Sequence, residues 1–516
     1  MSIESFDHRE CRGRPLYRAD QVRELDRRTI AAGVDGFALM QRAGMAAWQS
    51  LKARWPGAGA ITVLCGGGNN GGDGHVLAAL AAAEGLVVQR ILLKTVDDLT
   101  GDARRAAEMA SAAGVGVEPW RPGLTLRGEL VVDALLGTGL GGEVRGDIRD
   151  AIAAVNESGL PVLAIDIPSG LHADTGAVLG AAVRATRTVT FIGDKLGLHT
   201  GAAPAHVGEL DFRALGVDAE AQADLLPAAR RLDAGLIGAW LVPRERNAHK
   251  GEFGHALILG GAPGFGGAAL LAAEACVRLG AGKVSLATAP AHVTASLVRR
   301  PEVMVHGVRG AADLGDLPGL ADVLVVGPGL GQGSWGQGML QAALQAALQA
   351  GKPLVVDADG LNLLATRWSG ERRDDWILTP HPGEAARLLG ISAAAVEADR
   401  PAAAFELQRR RGGVVVLKGA GTLVAGPAGL AVCPFGNPGM ASGGMGDALS
   451  GILGGLLAQG LPLETVARLG VLVHALAADM AAGDIGERGL LAGDLASYAQ
   501  LLINPGTGDD HAAATR

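Results

Sequence analysis

The sequence predicts an α/β protein of two domains, each a three-layer αβα sandwich around a largely parallel sheet. Three observations predict it. Short apolar runs alternate with helical patterns of about 10–15 residues. The apolar runs are continuous rather than alternating, as in strands buried on both faces. The rhythm stops between residues 213 and 245 and then restarts. A length of 516 residues allows two to four domains at about 100–200 residues each.

Residues 20–32 place Val22, Leu25 and Ile30 on one helical stripe, with Gly33 as the C-cap. Strands follow at Ile61–Cys65, Leu86–Leu93, Glu129–Asp133, Pro161–Asp166 and Arg187–Ile192, with an Ala-rich helix at Val76–Glu84. The stretch 213–245 clusters charges and two prolines, which places the crossing near 225–240 and the domains at 15–225 and 235–503. Strands resume at His255–Leu259, Lys283–Ala287, Asp322–Val326, Pro353–Asp357, Trp376–Leu378 and Val414–Leu417. QAALQAALQA (341–350) is expected to be a helix, and GTGDDHAAATR (506–516) a loose tail.

Composition removes several classes. Hydrophobic residues at 48% and charged residues at 19% exclude disorder as the dominant state. The net charge of −8 argues against a nucleic-acid partner. Aromatics at 3% require Ala, Val and Leu cores. Cys11, Cys65, Cys276 and Cys433 contain no CxxC pair, against a disulfide framework or thiolate zinc site. The first 14 residues lack an apolar stretch, so no signal peptide is expected. The apolar segment Ala448–Leu463 falls short of the ~20 residues that span a bilayer. A cytoplasmic protein without a membrane partner is expected. Glycine-rich Ala cores pair subunits, so a homo-oligomer is expected too.

Strand Ile61–Cys65 runs into GGGNNGGDG (66–74). Its G-x-G-x-x-G match is weak, because glycine supplies 80 residues of this chain. The sharper signal is Asn69, Asn70 and Asp73 on a turn that opens a helix, where free backbone N–H groups meet anions. Capping alone needs only one such residue. Two further strand ends carry polar groups: Asp133 before ALLGTGLGG (134–142), and Asp166 before IPSGL (167–171). On one sheet edge Asn70, Asp133 and Ser169 can converge as oxygen ligands for a hard cation. Asp166 is then left as a candidate general base.

The second half holds GNPGMASGGMGDALSG (436–451). The N–H groups of Gly443, Gly444 and Gly446 can point at a phosphoryl group, aided by the helix N-terminus. Asp447 beside them can take a proton from a substrate hydroxyl. Other strand ends feed GPGLGQG (327–333), ADGLN (358–362), TPHPGE (379–384) and Lys418-Gly419-Ala420-Gly421-Thr422. A lysine before glycines suits a nucleotide phosphate. His381, between prolines, is held on a rigid turn.

GGGNNGGDG, VVDALLGTGL and IDIPSG together resemble the N-terminal domain of bifunctional NAD(P)H-hydrate repair enzymes, over about residues 15–215. The resemblance implies a Rossmann-like epimerase of R- and S-hydrated cofactor (NADHX and NADPHX). It implies hydrate contacts from Asn69, Asn70, Gly71, Gly72 and Asp73, from Gly137, Thr138, Gly139, Leu140, Gly141, Gly142 and Glu143, and from Asp166. It makes the cation K⁺, held by Asn70, Asp133 and Ser169. One departure is LMQRAG (39–44), with Gln41 where that family pattern has Glu. HKGEFGHALILGG, GPGLG, DADGLN, LTPHPGE and GNPGMASGGMGD resemble the ribokinase-like ADP/ATP-dependent NAD(P)H-hydrate dehydratases, over about 235–503. This second resemblance implies that Lys418, Gly419, Ala420, Gly421, Thr422 and Gly446 bind ADP, with Mg²⁺ accompanying ADP or ATP. It implies hydrate contacts from Ala268, Gly329, His381 and Asp447, with Asp447 the base. The rival enzyme class is a ribokinase-like small-molecule kinase fused to a nucleotide-binding domain, and DADGLN and HPGE count against it. A Rossmann oxidoreductase would want an acid where Lys94 ends the second strand.

Overall fold

The computed structural model describes residues 13–217 and 224–504. Cys11 and the tail 506–516 lie outside the described residues, as do residues 1–12. The chain forms two compact units, Pro15–Ala229 and one built mainly on Arg230–Arg516.

The first unit has strands β1 (Ala60–Cys65), β2 (Val87–Leu92), β3 (Val117–Pro119), β4 (Leu130–Ala134), β5 (Val162–Ile165), β6 (Arg187–Phe191) and β7 (Glu209–Arg213). They lie in the order β3-β2-β1-β4-β5-β6-β7, every neighbouring pair parallel. Ile61, Val63 and Cys65 enter one hydrophobic cluster and Leu64 the opposite one. Both faces are therefore covered, which is why β1 reads as one apolar run. The edge strands β3 and β7 are mixed in polarity, so the apolar pattern does not reveal them.

Two helical expectations need correction. Helix α1 (Ala19–Ala31) buries Val22, Leu25 and Thr29, while Ile30 is 43% exposed. Helix α2 (Gly36–Arg54) follows, with Gln41 on its exposed side. Helix α3 (Asn69–Ala83) begins seven residues earlier than the Ala-rich pattern predicts. Asn69–Asp73 therefore forms its first turns, not a preceding loop. Glycine is a poor helix former, but packing overrides propensity at Gly71: a Cβ there would lie 2.1 Å from the Gly66 carbonyl oxygen.

The second unit has strands β8 (His255–Leu259), β9 (Lys283–Thr288), β10 (Met304–Gly307), β11 (Val323–Val326), β12 (Leu354–Val356), β13 (Trp376–Leu378), β14 (Val414–Leu417), β15 (Thr422–Gly426) and β16 (Gly429–Cys433). Their order is β16-β15-β14-β13-β12-β11-β8-β9-β10. From β10 to β14 all pairs are parallel, while β14-β15 and β15-β16 are antiparallel. The sequence alternation predicts parallel strands alone and misses this hairpin. Helix α4 (Gly266–Arg278) packs closely on α5 (Met445–Ala458): a Cβ on Gly451 would stand 2.0 Å from the Ala272 carbonyl oxygen. Helix α6 (Leu463–Ile485) is long and apolar enough to span a bilayer by length and composition, yet 72% of its apolar window is buried in the fold. It is a core helix. Cys65, Cys276 and Cys433 are buried and unpaired.

Candidate active sites

In both sheets the strand order reverses direction beside the first strand, between β1 and β4 and between β8 and β11. Ligands of doubly wound sheets bind outside the strand C-termini at such a switch point.

At the first switch point lies a cleft of about 920 Å³. Asn69, Asn70 and Asp73 line it from the start of α3, Gly137 to Gly141 from the loop after β4, and Asp166 from the end of β5. Gly71 and Gly72 face into the fold, against Gly66 and Met40. Gly142 and Glu143 continue the loop beyond the lining.

The three proposed cation ligands converge. Ser169 Oγ donates to Asp133 Oδ1 at 2.6 Å, and Ser169 N donates to Asp133 Oδ2 at 2.8 Å. Asn70 Nδ2 donates to the Leu136 carbonyl at 2.9 Å, and Leu136 N donates to Ser169 Oγ at 2.8 Å. Asn70 Oδ1 is buried and accepts no hydrogen bond. Burial pushes Asp133 up to about 6, against the hydrogen bonds from Ser169.

Asp166 stands in the left-handed backbone region, at φ 68°. Its Oδ1 accepts from Phe191 N at 3.2 Å and from the ammonium of Lys195, whose side chain is wholly buried. Asp26 of α1 lines the same cleft. Sequence reasoning misses Lys195 and Asp26: Asp26 lies inside helix α1, and Lys195 follows β6 between Gly193 and Gly197, glycines too common in this chain to single the loop out.

The second site gathers the loops after β8, β11, β12, β13 and β14. Gly261 N and Ala262 N donate to the carbonyls of Pro328 and Gly329 at 3.0 and 2.7 Å, which ties two loops together. Gly329 then abuts Ala268: a Cβ on it would stand 3.1 Å from the Ala268 methyl. Lys418 Nζ donates to Asp357 Oδ1 at 2.7 Å and lies 3.9 Å from Glu384. Ser450 Oγ donates to Asp357 Oδ2 at 2.7 Å. The Lys418 side chain is thus held by carboxylates rather than offered alone to a phosphate. Thr422 Oγ1 closes the turn by donating to the Gly419 carbonyl at 2.9 Å.

Helix α5 starts from Gly444, a left-handed N-cap at φ 93°, so Asp447 is not the cap. A Cβ on Gly446 would lie 3.1 Å from Lys418 Nζ. Burial and the Asp357 charge push Asp447 up to about 7, partly offset by Lys418. Burial likewise takes Glu384 to about 7. The His381 side chain is 50% exposed and caps helix α7 (Pro382–Leu389): its Nδ1 accepts from Gly383 N at 3.0 Å and its Nε2 lies 3.3 Å from Glu384. Burial of its ring, with Lys418 and Arg387 nearby, lowers its pKa. Asp357 and Glu384 stand inside DADGLN and HPGE, so the motifs carried them without naming a role. Ser450 had no such signal.

Two family models match the chain: one described as YjeF-related protein N-terminus over residues 36–197, and one described as NAD(P)H-hydrate dehydratase over residues 256–501. The bifunctional NAD(P)H-hydrate repair enzyme Nnr of Coxiella burnetii is 50% identical, across 95% of this chain and 99% of that protein. Its Escherichia coli counterpart is 44% identical, across 95% of this chain and 94% of that protein. A crystal structure of a ribokinase-like superfamily protein from Enterococcus faecalis is 28% identical with a TM-score of 0.50, covering 54% of this chain and 96% of that one. With relatives this similar along both units, and with each sheet edge assembling its expected side chains, the chain belongs to the bifunctional NAD(P)H-hydrate repair enzyme family.

Proposed function

We propose that the first unit interconverts the R and S forms of hydrated NADH and NADPH, and that the second dehydrates the S form at the expense of ADP or ATP. The observation that carries this is one chain holding both sites, the Asn-Asn-Asp cleft and the glycine-run helix bearing Asp447, with relatives alike over 95% of its length.

Water added across the nicotinamide C5=C6 bond leaves a hydroxyl on C6. Hydroxide leaves poorly, and a phosphorylated oxygen leaves well. Asp447 takes the hydroxyl proton, and a base that titrates near 7 suits neutral pH. The N–H groups of Gly443, Gly444 and Gly446 hold the phosphoryl group. Lys418–Thr422 bind the nucleotide, and Asp357 fixes the Lys418 ammonium. Ala268, Gly329 and His381 contact the hydrate.

In the first unit Asn69–Asp73, Gly137–Glu143 and Asp166 contact the hydrate. Asn70, Asp133 and Ser169 would hold K⁺, which supplies a fixed positive charge at the sheet edge. The buried, unpartnered Asn70 Oδ1 supports a cation there. Among the described residues no group of three or more His, Cys, Asp or Glu forms a metal cage, which suits Mg²⁺ carried on nucleotide phosphates. The same reading makes the protein a cytoplasmic homo-oligomer that acts on small molecules, without nucleic acid or membrane.

The test is chromatography of a mixed R/S hydrate with ADP. Asp447→Asn should slow S-hydrate consumption by ~10²–10⁴ while R and S still equilibrate. Asp166→Asn should consume S-hydrate normally and leave R-hydrate behind. If Asp447→Asn consumes S-hydrate at the wild-type rate, the assignment of the base is wrong.

A further inference from the structure

Four charged side chains meet in the first cleft. Asp26, Asp73 and Asp166 line it from three different elements. Lys195 lies beneath Asp166, its side chain wholly buried. Its Nζ donates to Asp166 Oδ1, to Thr190 Oγ1 at 2.9 Å and to the Phe191 carbonyl at 3.0 Å. All three ammonium protons are used, so Lys195 acts on a ligand only through Asp166. The carboxylate has a second tether, the Phe191 N–H. Its backbone stands in the left-handed region at φ 68°, a conformation that persists where the surroundings over-determine it.

Asp166 and Asp73 both answer to this ammonium, and Asp26 is near enough to act on Asp73. Burial, then the charges of Asp166 and Asp26, push Asp73 well above the carboxylate range, and Lys195 offsets only part of this. Burial, then Asp166, raises Asp26. Asp166 holds the cation directly. Asp73 answers to both other carboxylates, which makes it the group best placed to carry a proton.

Resting on the epimerase reading of this cleft, we propose that Lys195 is a positioning residue that keeps the Asp166 carboxylate aimed as the base, and that Asp73 is the acid partner of Asp166. In the hydrate, C6 bears both the hydroxyl and the ring nitrogen N1. Asp166 takes the hydroxyl proton, and that electron pair forms the C6=O bond. The N1–C6 bond breaks with its pair moving to N1, and Asp73 gives N1 a proton. Rotation about the C5–C6 single bond presents the other carbonyl face. N1 attacks it, Asp73 recovers the N1 proton, and Asp166 returns its proton to oxygen. No electrons are gained or lost, and both carboxyl groups end as they began.

The test uses the full chain and follows R-hydrate to S-hydrate without nucleotide, with the melting transition of the first unit as the control for folding and dehydration of S-hydrate by ADP as the control for the second. Asp73→Asn and Lys195→Met should each lower kcat for epimerisation by ~10²–10⁴ with KM nearly unchanged. Lys195→Met should also move the acid limb of the kcat/KM profile to higher pH, and Lys195→Arg should restore most of the rate. Asp26→Asn removes a charge that raises Asp73, so it should cost less than Asp73→Asn or Lys195→Met. Should Lys195→Met fail to fold, Lys195→Arg and Asp73→Asn carry the test. Wild-type kcat and pH profile in the folded Lys195→Met protein overturns the proposal. So does a normal rate in Asp73→Asn, or a loss confined to Asp26→Asn. A wild-type chain that leaves R-hydrate untouched sinks the epimerase reading itself, a separate outcome.

Discussion

Replacing Asp357 with Asn keeps the shape of the side chain and removes its charge from a buried ion pair. Asp357 is 1% exposed and Lys418 is 20% exposed, with 2.7 Å between Oδ1 and Nζ. Removing one partner of a buried pair costs about 3–5 kcal/mol, because the other charge is left uncompensated. Two features place the loss at the low end of that range. Glu384 lies 3.9 Å from the same ammonium. Its carboxyl is held up to about 7 by burial and, in part, by the Asp357 charge, so without that charge it ionises more readily and takes over part of the pairing. A loss of about 3 kcal/mol lowers the melting temperature of a unit this size by about 6–12 °C. The pH dependence has a definite sign. Burial raises the Asp357 carboxyl, but the Lys418 charge and the Lys418 and Ser450 hydrogen bonds outweigh it and leave it below its ordinary 3.8. Its stabilisation is therefore present above 3.8 and is lost as pH falls through the lowered value. Burial lowers Lys418, but Asp357 and Glu384 outweigh it and leave it above 10.5. Its share is present below 10.5 and is lost as pH rises through the raised value. The gap between wild type and variant should be widest near pH 5, narrow toward pH 8 as Glu384 ionises beside Lys418, and close in acid. Calorimetry reads it, with epimerase activity as the control for the first unit. A shift under about 2 °C at neutral pH would show that the pair is not buried and ionised, and would refute the reasoning.

Asp133→Ala should weaken epimerisation and abolish its dependence on K⁺, while dehydration continues. Normal epimerisation by that variant in potassium-free buffer would remove the cation assignment. ADP with Mg²⁺ at a hundredfold excess over Kd should stabilise the folded chain by about 2.7 kcal/mol, and Lys418→Ala should shrink that shift. A melt unmoved by any adenine nucleotide would end the kinase-like reading of the second unit.

Much of this was legible from residue order, for definite reasons. Strands packed on both faces read as unbroken apolar runs, and strand C-termini carry ligands, so Asn70, Asp133 and Ser169 could be brought together before any coordinates. Asp133 and Ser169, 36 positions apart, hydrogen-bond directly. The illegible parts have equally definite causes. The helix start at Asn69 was hidden because glycine disguises a helical turn as a loop. Lys195 belongs to the stretch after β6, between Gly193 and Gly197, but two glycines carry little weight in a chain with 80, and only the fold seats it under Asp166. The β15–β16 hairpin joins two short strands of five residues each, too brief to break the parallel rhythm. His381 looked poised for a ligand, yet its Nδ1 is spent on a helix cap.

Both sheet edges are moulded in main chain. The Gly66 carbonyl leaves no room for a side chain at position 71, and the Asp357 carbonyl leaves none at position 327, where a Cβ would come within 1.9 Å. Walls of this kind have no rotamers to freeze. An immobilised side chain costs a binding event about 0.5–1.5 kcal/mol, and here much of that cost is absent before any ligand arrives. Where the wall is main chain, selectivity rests on outline, and adaptable side chains such as Arg23, Met40, Lys94 and Arg145 line the first cleft elsewhere. The same rigidity closes a route of escape, because substituting these glycines to exclude an inhibitor would displace the backbone that receives the natural substrate.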